Sequence, residues 1–368
     1  MVVKILDNIL SPLGSTTADN YLAVKSGISA LMLHKSDNLA VAPYYASLVP
    51  EEMLTVEGDY SKFERMCIQS IEAALRQSTI DIASPRVLFI VSTTKGNVHL
   101  LAKGAGEGRI LLGESAKAIA THFGNEVEPV VVSNACISGL CAQIEAMRLI
   151  ECGQYDNVVV VGADVQSPFI ISGFQSLKAL SDEACRPFDA ERRGLNLGEA
   201  AATIIYGRKE KAEDGEWVIR NGAVRNDANH ISGPSRTGEG SYLALRKVLE
   251  DVDVNDIAFV NAHGTATLYN DEMESIAIER AGLVDVPVGS LKGYYGHTMG
   301  AAGILETLIS MRAVEDRTVL GTRGFNTLGV SHPIRVQKEN GITDKSTFIK
   351  LISGFGGCNA AAAFKYVN

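Results

Sequence analysis

Residues 157–163 read Asn-Val-Val-Val-Val-Gly-Ala, and this run constrains the fold more than any other stretch of the chain. β-Branched side chains favour an extended backbone. Successive strand residues point to opposite faces, so a strand that is apolar at every position must be covered on both sides. A sheet with helices above and below meets that demand. The rest of the chain alternates strand-like and helical patterns, as an α/β protein does. Strands are expected at 2–10, 38–42, 87–92, 129–133 and 157–163, with helices at 60–77, 114–123 and 137–151. In the second half, helices 239–251 and 271–281 precede strands 257–261 and 286–290. Helix 301–315 is followed by strands 347–353 and 360–367.

At 368 residues the chain is longer than most single-core domains. The polar stretch 208–216 is the expected boundary between two halves, 1–215 and 216–368. An internal echo supports duplication: Cys136-Ile-Ser-Gly139 and His297-Thr-Met-Gly300 each follow a strand and open a helix rich in small residues. The net charge of −9, with no long basic run, argues against general nucleic-acid binding. No apolar stretch reaches the length of a membrane span, and the opening residues lack a signal-peptide layout, so a cytoplasmic protein is expected. Six cysteines are scattered without a C-x-x-C pair, which points to free thiols rather than zinc or disulfides.

Four segments carry residues suited to chemistry. Cys136 lies between a strand and a helix, where unpaired N–H groups and the helix dipole favour the thiolate. Its own N–H is placed to help hold an oxyanion; the segment equally suits a packing cysteine. His263 ends a strand in Asn-Ala-His-Gly-Thr, followed by Asp271 and Glu274 on one face of a helix start. Those carboxylates suit a helix N-terminus, so capping is their plain role. His297 follows Lys292 by five residues, and Glu306 sits in an otherwise apolar helix. A buried carboxylate wants a partner, and Lys292 is the obvious one, as a structural ion pair or as part of a site. Ser353-Gly-Phe-Gly-Gly-Cys-Asn359 is a glycine hairpin, or a loop whose backbone approaches a ligand closely.

In this order the segments resemble the elongating β-ketoacyl-[acyl carrier protein] synthases of the thiolase superfamily. The resemblance begins at Ile9-Leu10-Ser11-Pro12-Leu13-Gly14 and takes in Ala135–Gly139, Arg186-Pro187-Phe188-Asp189 and Gly198-Glu199-Ala200. It closes through His263-Gly264-Thr265, Lys292, Gly296-His297 and Gly354–Asn359. It implies an α/β, thiolase-like fold, two similar βαβαβαββ halves in an α-β-α-β-α layering. Cys136 would be the nucleophile of a decarboxylative condensation with malonyl-carrier protein, in fatty-acid or polyene/polyketide elongation. The N–H groups of Cys136 and Phe355 would form the oxyanion hole. His263 and His297 would donate to the malonyl thioester, tuned by Lys292 and Glu306. Thr265 and Thr267 would hold the phosphopantetheine arm, with Phe355 as gatekeeper and Asp271, Glu274 and Asn359 as structural support. No metal or cofactor of the chain's own is implied, since the arm belongs to the acyl carrier protein. The other partner would be a second copy, or a chain-length-setting subunit in a heterodimer.

Some positions depart from the family pattern. Leu268-Tyr269-Asn270 stands for a proline–glycine turn, with Asn270 able to adopt a positive φ. Tyr294-Tyr295 is bulky, Ser353 replaces an aromatic residue, Cys358 a threonine and Arg193 an acidic residue. These changes suggest a specialised synthase. Because carrier proteins are acidic, docking needs a local basic patch. Lys62, Arg65, Arg192 and Arg193 are the candidates, against their plain reading as solvated surface charges. Competing functions are a non-catalytic, chain-length-setting partner, a thiolase-like acyl-CoA acyltransferase and a cysteine hydrolase.

Overall fold

The computed structural model describes residues 1–35, 38–40, 42–76, 78–104 and 106–368. The first half contains β1 (Val2–Leu10), β2 (Met32–His34), β3 (Tyr44–Ser47), β4 (Val87–Ser92), β5 (Val130–Val132), β6 (Asn157–Asp164), β7 (Leu197–Gly198) and β8 (Ala200–Arg208). The second contains β9 (Trp217–Asn226), β10 (Ile257–Asn261), β11 (Pro287–Gly289), β12 (Thr318–Val319), β13 (Arg335–Val336), β14 (Gly341–Ile342), β15 (Thr347–Gly354) and β16 (Cys358–Tyr366). The helices are α1 (Thr17–Lys25), α2 (Lys62–Leu75), α3 (Leu112–His122), α4 (Ser138–Glu151), α5 (Pro168–Ser176), α6 (Glu239–Val248), α7 (Leu268–Arg280), α8 (Lys292–Tyr295) and α9 (Ala302–Glu315).

Among the described residues, eleven strands share one sheet in the order β13-β11-β10-β15-β16-β9-β1-β8-β6-β4-β5. The order repeats itself. In β1-β8-β6-β4-β5 the first two pairings are antiparallel and the next two parallel. The run β9-β16-β15-β10-β11 has the same pattern. The runs meet where Val3 of β1 pairs with Val218 of β9. This is the duplication that the Cys136 and His297 segments suggested.

The valine run is covered on both faces, as expected. Val158 and Val160 pack with α4 and α9 residues such as Leu140, Ile144, Ile304 and Leu308. Val159 and Val161 pack on the other face with Phe63, Ile68 and Ile71 of α2 and Ile119 of α3. The second half splits alike: Phe348 and Ile352 face the α4/α9 layer, while Ile349 and Leu351 face Leu245 of α6 and Ile278 of α7. The layers therefore run α2/α3, sheet, α4/α9, sheet, α6/α7. The central helices touch through glycine. A Cβ on Gly303 would lie 2.4 Å from the Leu140 nitrogen, so only a bare backbone allows α4 and α9 this close.

Most element ends fall within a few residues of expectation. Helix α2 is two residues shorter at each end, with Gln77 outside the described residues, because a Ser61–Glu64 capping box starts it. No strand forms at the described part of 38–42, of which Val41 lies outside the described residues. Pro43 follows immediately and has no N–H for a ladder, so pairing falls to Met32–His34 and Tyr44–Ser47 on either side. Leu39 and Ala40 instead pack against the cluster of Tyr44, Ala46 and Leu195. No helix among the described residues is long and apolar enough to cross a membrane.

Candidate active site

Three loops from the carboxyl ends of β5, β10 and β11 converge where the halves meet. Each contains a non-glycine residue with positive φ: Ala135 (+45°), Ala266 (+64°) and Met299 (+48°). Such conformations cost of order 1–3 kcal/mol each and persist where surrounding structure enforces them. In the first loop the Asn134 N–H donates to Ser138 Oγ at 2.7 Å, and that hydroxyl donates to the Ala135 carbonyl at 2.6 Å. The resulting elbow delivers Cys136 two residues before α4.

The Cys136 sulfur and a ring nitrogen from each of His263 and His297 lie within 4.8 Å of one another. The two rings meet edge to face at 4.9 Å. All three residues line a cavity of about 490 Å³. Thr265, Thr267, Phe355 and Asn359 also line it, as do Lys178, Arg193 and Tyr269 near its mouth. Thr265 and Thr267 hydroxyls lie 2.9 Å apart. Phe355 packs against Phe174 of α5 at 5.7 Å. Its turn reaches Cys136 because residue 354 is glycine: a Cβ there would sit 3.1 Å from the Cys136 nitrogen and 2.9 Å from Cys358 Sγ. Asn359 anchors the turn by accepting from Ser241 Oγ and Ser353 Oγ at 2.7 and 2.9 Å and donating to the Gly357 carbonyl. Ser353 is thus a hydrogen-bonding member of the loop where an aromatic residue was the family expectation.

The histidines are neutral. Burial pulls both far below the ordinary histidine range, with Lys292 and then other nearby positive groups, Lys350 among them, adding to it. His297 Nδ1 accepts the Met299 N–H at 3.3 Å, so its proton resides on Nε2, which has no protein partner among the described residues. That N–H is a free donor beside the cavity.

Cys136 departs from expectation. The position near a helix start argued for a thiolate, but burial pushes the thiol up to about 12. Cys358 nearby adds to this, and Lys292 and Lys95 oppose it without prevailing. Cys136 is 8% exposed, so desolvation of an anion outweighs the field at rest. The resting pair is a thiol beside neutral imidazoles.

Asp271 and Glu274 are not caps of their own helix. Helix α7 begins at Leu268, so Asn270 is helical rather than at positive φ, and its side chain donates to Glu274 at 2.8 Å. The Glu274 oxygens accept the N–H groups of His263 and Gly264, both at 2.7 Å. Asp271 accepts from Phe188 and Ala266 at 2.7 and 3.2 Å. Burial raises Asp271 to about 6. Burial also raises Glu274, with the Asp271 charge beside it adding. Both carboxyls hold the His263 loop in shape.

Lys292 and Glu306 form the expected buried ion pair, and neither bonds an imidazole directly. The pair has a third member that the pattern did not single out. Lys350, fully buried in β15, lies 2.6 Å from the other Glu306 oxygen. Its signal was a lysine inside Phe-Ile-Lys-Leu-Ile, a strand with both faces covered. Burial works to raise Glu306, but Lys292 and Lys350 together hold it below the usual carboxylate range. Two buried ammonium groups beneath Cys136, His263 and His297 also oppose a metal cation there, although that donor set would suit zinc.

The docking candidates separate. Arg192 is buried, 3.8 Å from Asp271 and bonded to the Asp189 and Gly329 carbonyls, so it is neither a solvated charge nor free to dock. Lys62 is committed to the buried Glu199 at 2.7 Å, and Arg65 to Glu51 and two carbonyls. Arg193 remains exposed at the cavity mouth, where its one ion pair among the described residues is with Glu183 at 3.2 Å.

A duplicated α/β chain thus joins a cysteine and two histidines at the meeting of its halves, a nucleophile and donor set suited to acyl transfer. Residues 57–212 match the N-terminal domain of beta-ketoacyl synthases, and residues 217–326 match the C-terminal domain. The chain belongs to the beta-ketoacyl synthase family. It is 28% identical to 3-oxoacyl-[acyl-carrier-protein] synthase 2 of Vibrio cholerae over 97% of each chain. It is 30% identical to the ketoacyl synthase alpha subunit of a tetracenomycin polyketide synthase from Streptomyces glaucescens, over 67% of this chain and 62% of that one. Its fold matches a ketosynthase structure, solved in complex with its chain length factor from Xenorhabdus doucetiae, at a TM-score of 0.89. That match has 24% identity and covers 100% of this chain and 98% of the other.

Proposed function

We propose that the chain is a 3-oxoacyl-[acyl carrier protein] synthase that elongates a fatty-acid, polyene or polyketide chain. The observation that carries this is the convergence of the Cys136 sulfur and two neutral imidazoles within 4.8 Å on one cavity. In the first step the Cys136 sulfur attacks a carrier-protein acyl thioester. A neutral imidazole takes the thiol proton and returns it to the departing pantetheine thiol. The N–H groups of Cys136 and Phe355 hold the oxyanion. Malonyl-carrier protein then enters, with its arm along Thr265 and Thr267. The bond to the malonyl carboxylate breaks, carbon dioxide leaves, and the electron pair becomes an enolate. The N–H groups of His263 and His297 donate to the enolate oxygen more strongly than to the original carbonyl, which lowers the barrier. The enolate carbon attacks the acyl carbonyl, the carbon–sulfur bond breaks, and Cys136 leaves as a thiolate that takes up one proton from solvent to restore the resting thiol. A strong base is unnecessary because decarboxylation supplies the carbanion.

The phosphopantetheine comes with the carrier protein, and the working unit is a dimer, with a second copy or with a chain-length-setting subunit. Incubating the protein with acyl- and malonyl-carrier protein tests the reading. The expected products are carbon dioxide and a 3-ketoacyl carrier, both lost in Cys136→Ala. A folded protein that yields neither, alone or with a chain-length-setting partner, would contradict it.

A further inference from the structure

We propose that Lys350 is a positioning residue of the condensation: by sharing Glu306 with Lys292, it leaves a net positive charge beneath the two imidazole rings, ready for the charge that develops on the extender thioester oxygen. This rests on the synthase reading above.

The starting point is a count of charges. Lys292 Nζ bonds one oxygen of Glu306, and Lys350 Nζ lies 2.6 Å from the other. One carboxylate therefore serves two buried ammonium groups. Without Lys350 the Lys292–Glu306 pair would already be neutral. An apolar side chain of similar volume in β15 would have avoided the desolvation of a third charge.

Lys350 is also fixed in place. Its Nζ donates to Asn261 Oδ1 at 2.7 Å and to the Leu351 carbonyl at 3.1 Å, and it lies 3.3 Å from the carbonyls of Asn261 and Ala262. Those two residues lead directly into His263, so the ammonium grips the end of β10 from below. Glu274 grips the same loop through the His263 and Gly264 N–H groups. The other Glu306 oxygen lies 2.6 Å from Lys350, so the ammonium divides its donors between that carboxylate and the end of β10.

The charged groups facing Lys350 are Glu306 of α9, Lys292 of α8 and Glu274 of α7. Glu274 is raised by burial and by Asp271, and both its oxygens are turned to the His263 loop, so it offsets the lysines only in part. Burial and Lys292 pull Lys350 below its ordinary range, while Glu306 holds it up. Lys350 in turn is among the charges that keep both histidines neutral.

The test separates the two half-reactions and reads the pH profile. Lys350→Met is compared with the parent for acyl transfer to Cys136 and for condensation with malonyl-carrier protein. Condensation is expected to fall about tenfold or more, with acyl transfer much less affected. Removing a positive charge lets the imidazoles protonate at higher pH, so the acid limb of the condensation profile should rise by about half a unit or more. Lys350→Arg should restore the limb. Glu306→Gln, which removes the opposing charge, should move it the other way. Should Lys350→Met not fold, Lys350→Gln, which can still donate to Asn261, carries the same expectations. Equal losses in both half-reactions with an unmoved limb, or full activity in the Met variant, would overturn the assignment. A parent protein that condenses while the variants behave this way leaves the synthase reading intact. A parent that does not condense removes that reading first.

Discussion

His263 and His297 are held neutral by burial beside two ammonium groups, and that state has a thermodynamic consequence. Their folded values lie below the unfolded value of about 6.5. Above that value both states are neutral, and the stability is fully present. As the pH falls, the unfolded chain binds protons that the buried rings refuse, so stability is lost until the folded value is passed. Between pH 7 and 5 each ring should cost up to about 2 kcal/mol. Urea midpoints of the parent and of a His263→Asn/His297→Asn variant check this: the parent should lose more stability over that interval. Glu306 is the other sensitive residue. Glu306→Ala would leave two buried ammonium groups unpaired and should destabilise the fold by about 3–5 kcal/mol. A loss below about 1 kcal/mol in denaturant would show that water reaches the cluster.

At the scale of elements, the site depends on two helices meeting backbone to backbone. A Cβ at Gly303 would lie 2.4 Å from the Leu140 nitrogen, and one at Gly139 would lie 2.8 Å from the Gly300 carbonyl oxygen. Gly303→Ala should therefore force α4 and α9 apart, costing about 1–3 kcal/mol. It should also slow condensation, because the Cys136 and His297 loops lead into those helices. Denaturation midpoints and product formation measured on one preparation check both effects. Much of this architecture was legible in the sequence. Unbroken apolar strands demanded cover on both faces, and small residues after Cys136 and His297 marked the duplicated helices. What escaped depended on partners far away in the chain. Asp271 and Glu274 have the spacing of caps, but the amides they serve belong to Phe188 and the His263 loop. Lys350 lies in an apolar strand, 44 positions after Glu306, and nothing local announces the carboxylate it shares. The thiolate expected from the helix start of α4 failed because local sequence does not report how deeply a sulfur is buried.

The whole molecule is acidic, with a net charge of −9, so productive encounter with an acidic carrier protein needs positive charge near the cavity. Of the arginines and lysines singled out from the sequence, Arg193 is the one left exposed at the mouth. Arg193→Glu should raise the KM for an acyl-carrier thioester several-fold and add salt sensitivity, with a smaller effect on a free pantetheine thioester. Equal effects on both thioesters would place Arg193 in cavity shape rather than docking. In the proposed reaction the two halves supply different parts: the first the nucleophile Cys136, the second both imidazoles and the charges beside them. Intact-mass spectrometry after mixing with acyl-carrier protein, followed by peptide mapping, tests this division of labour most directly. The account predicts one acyl group on the peptide containing Cys136, absent in Cys136→Ala, and cleared when malonyl-carrier protein is added. An acyl group on another residue, or an adduct that malonyl-carrier protein leaves in place, would contradict it.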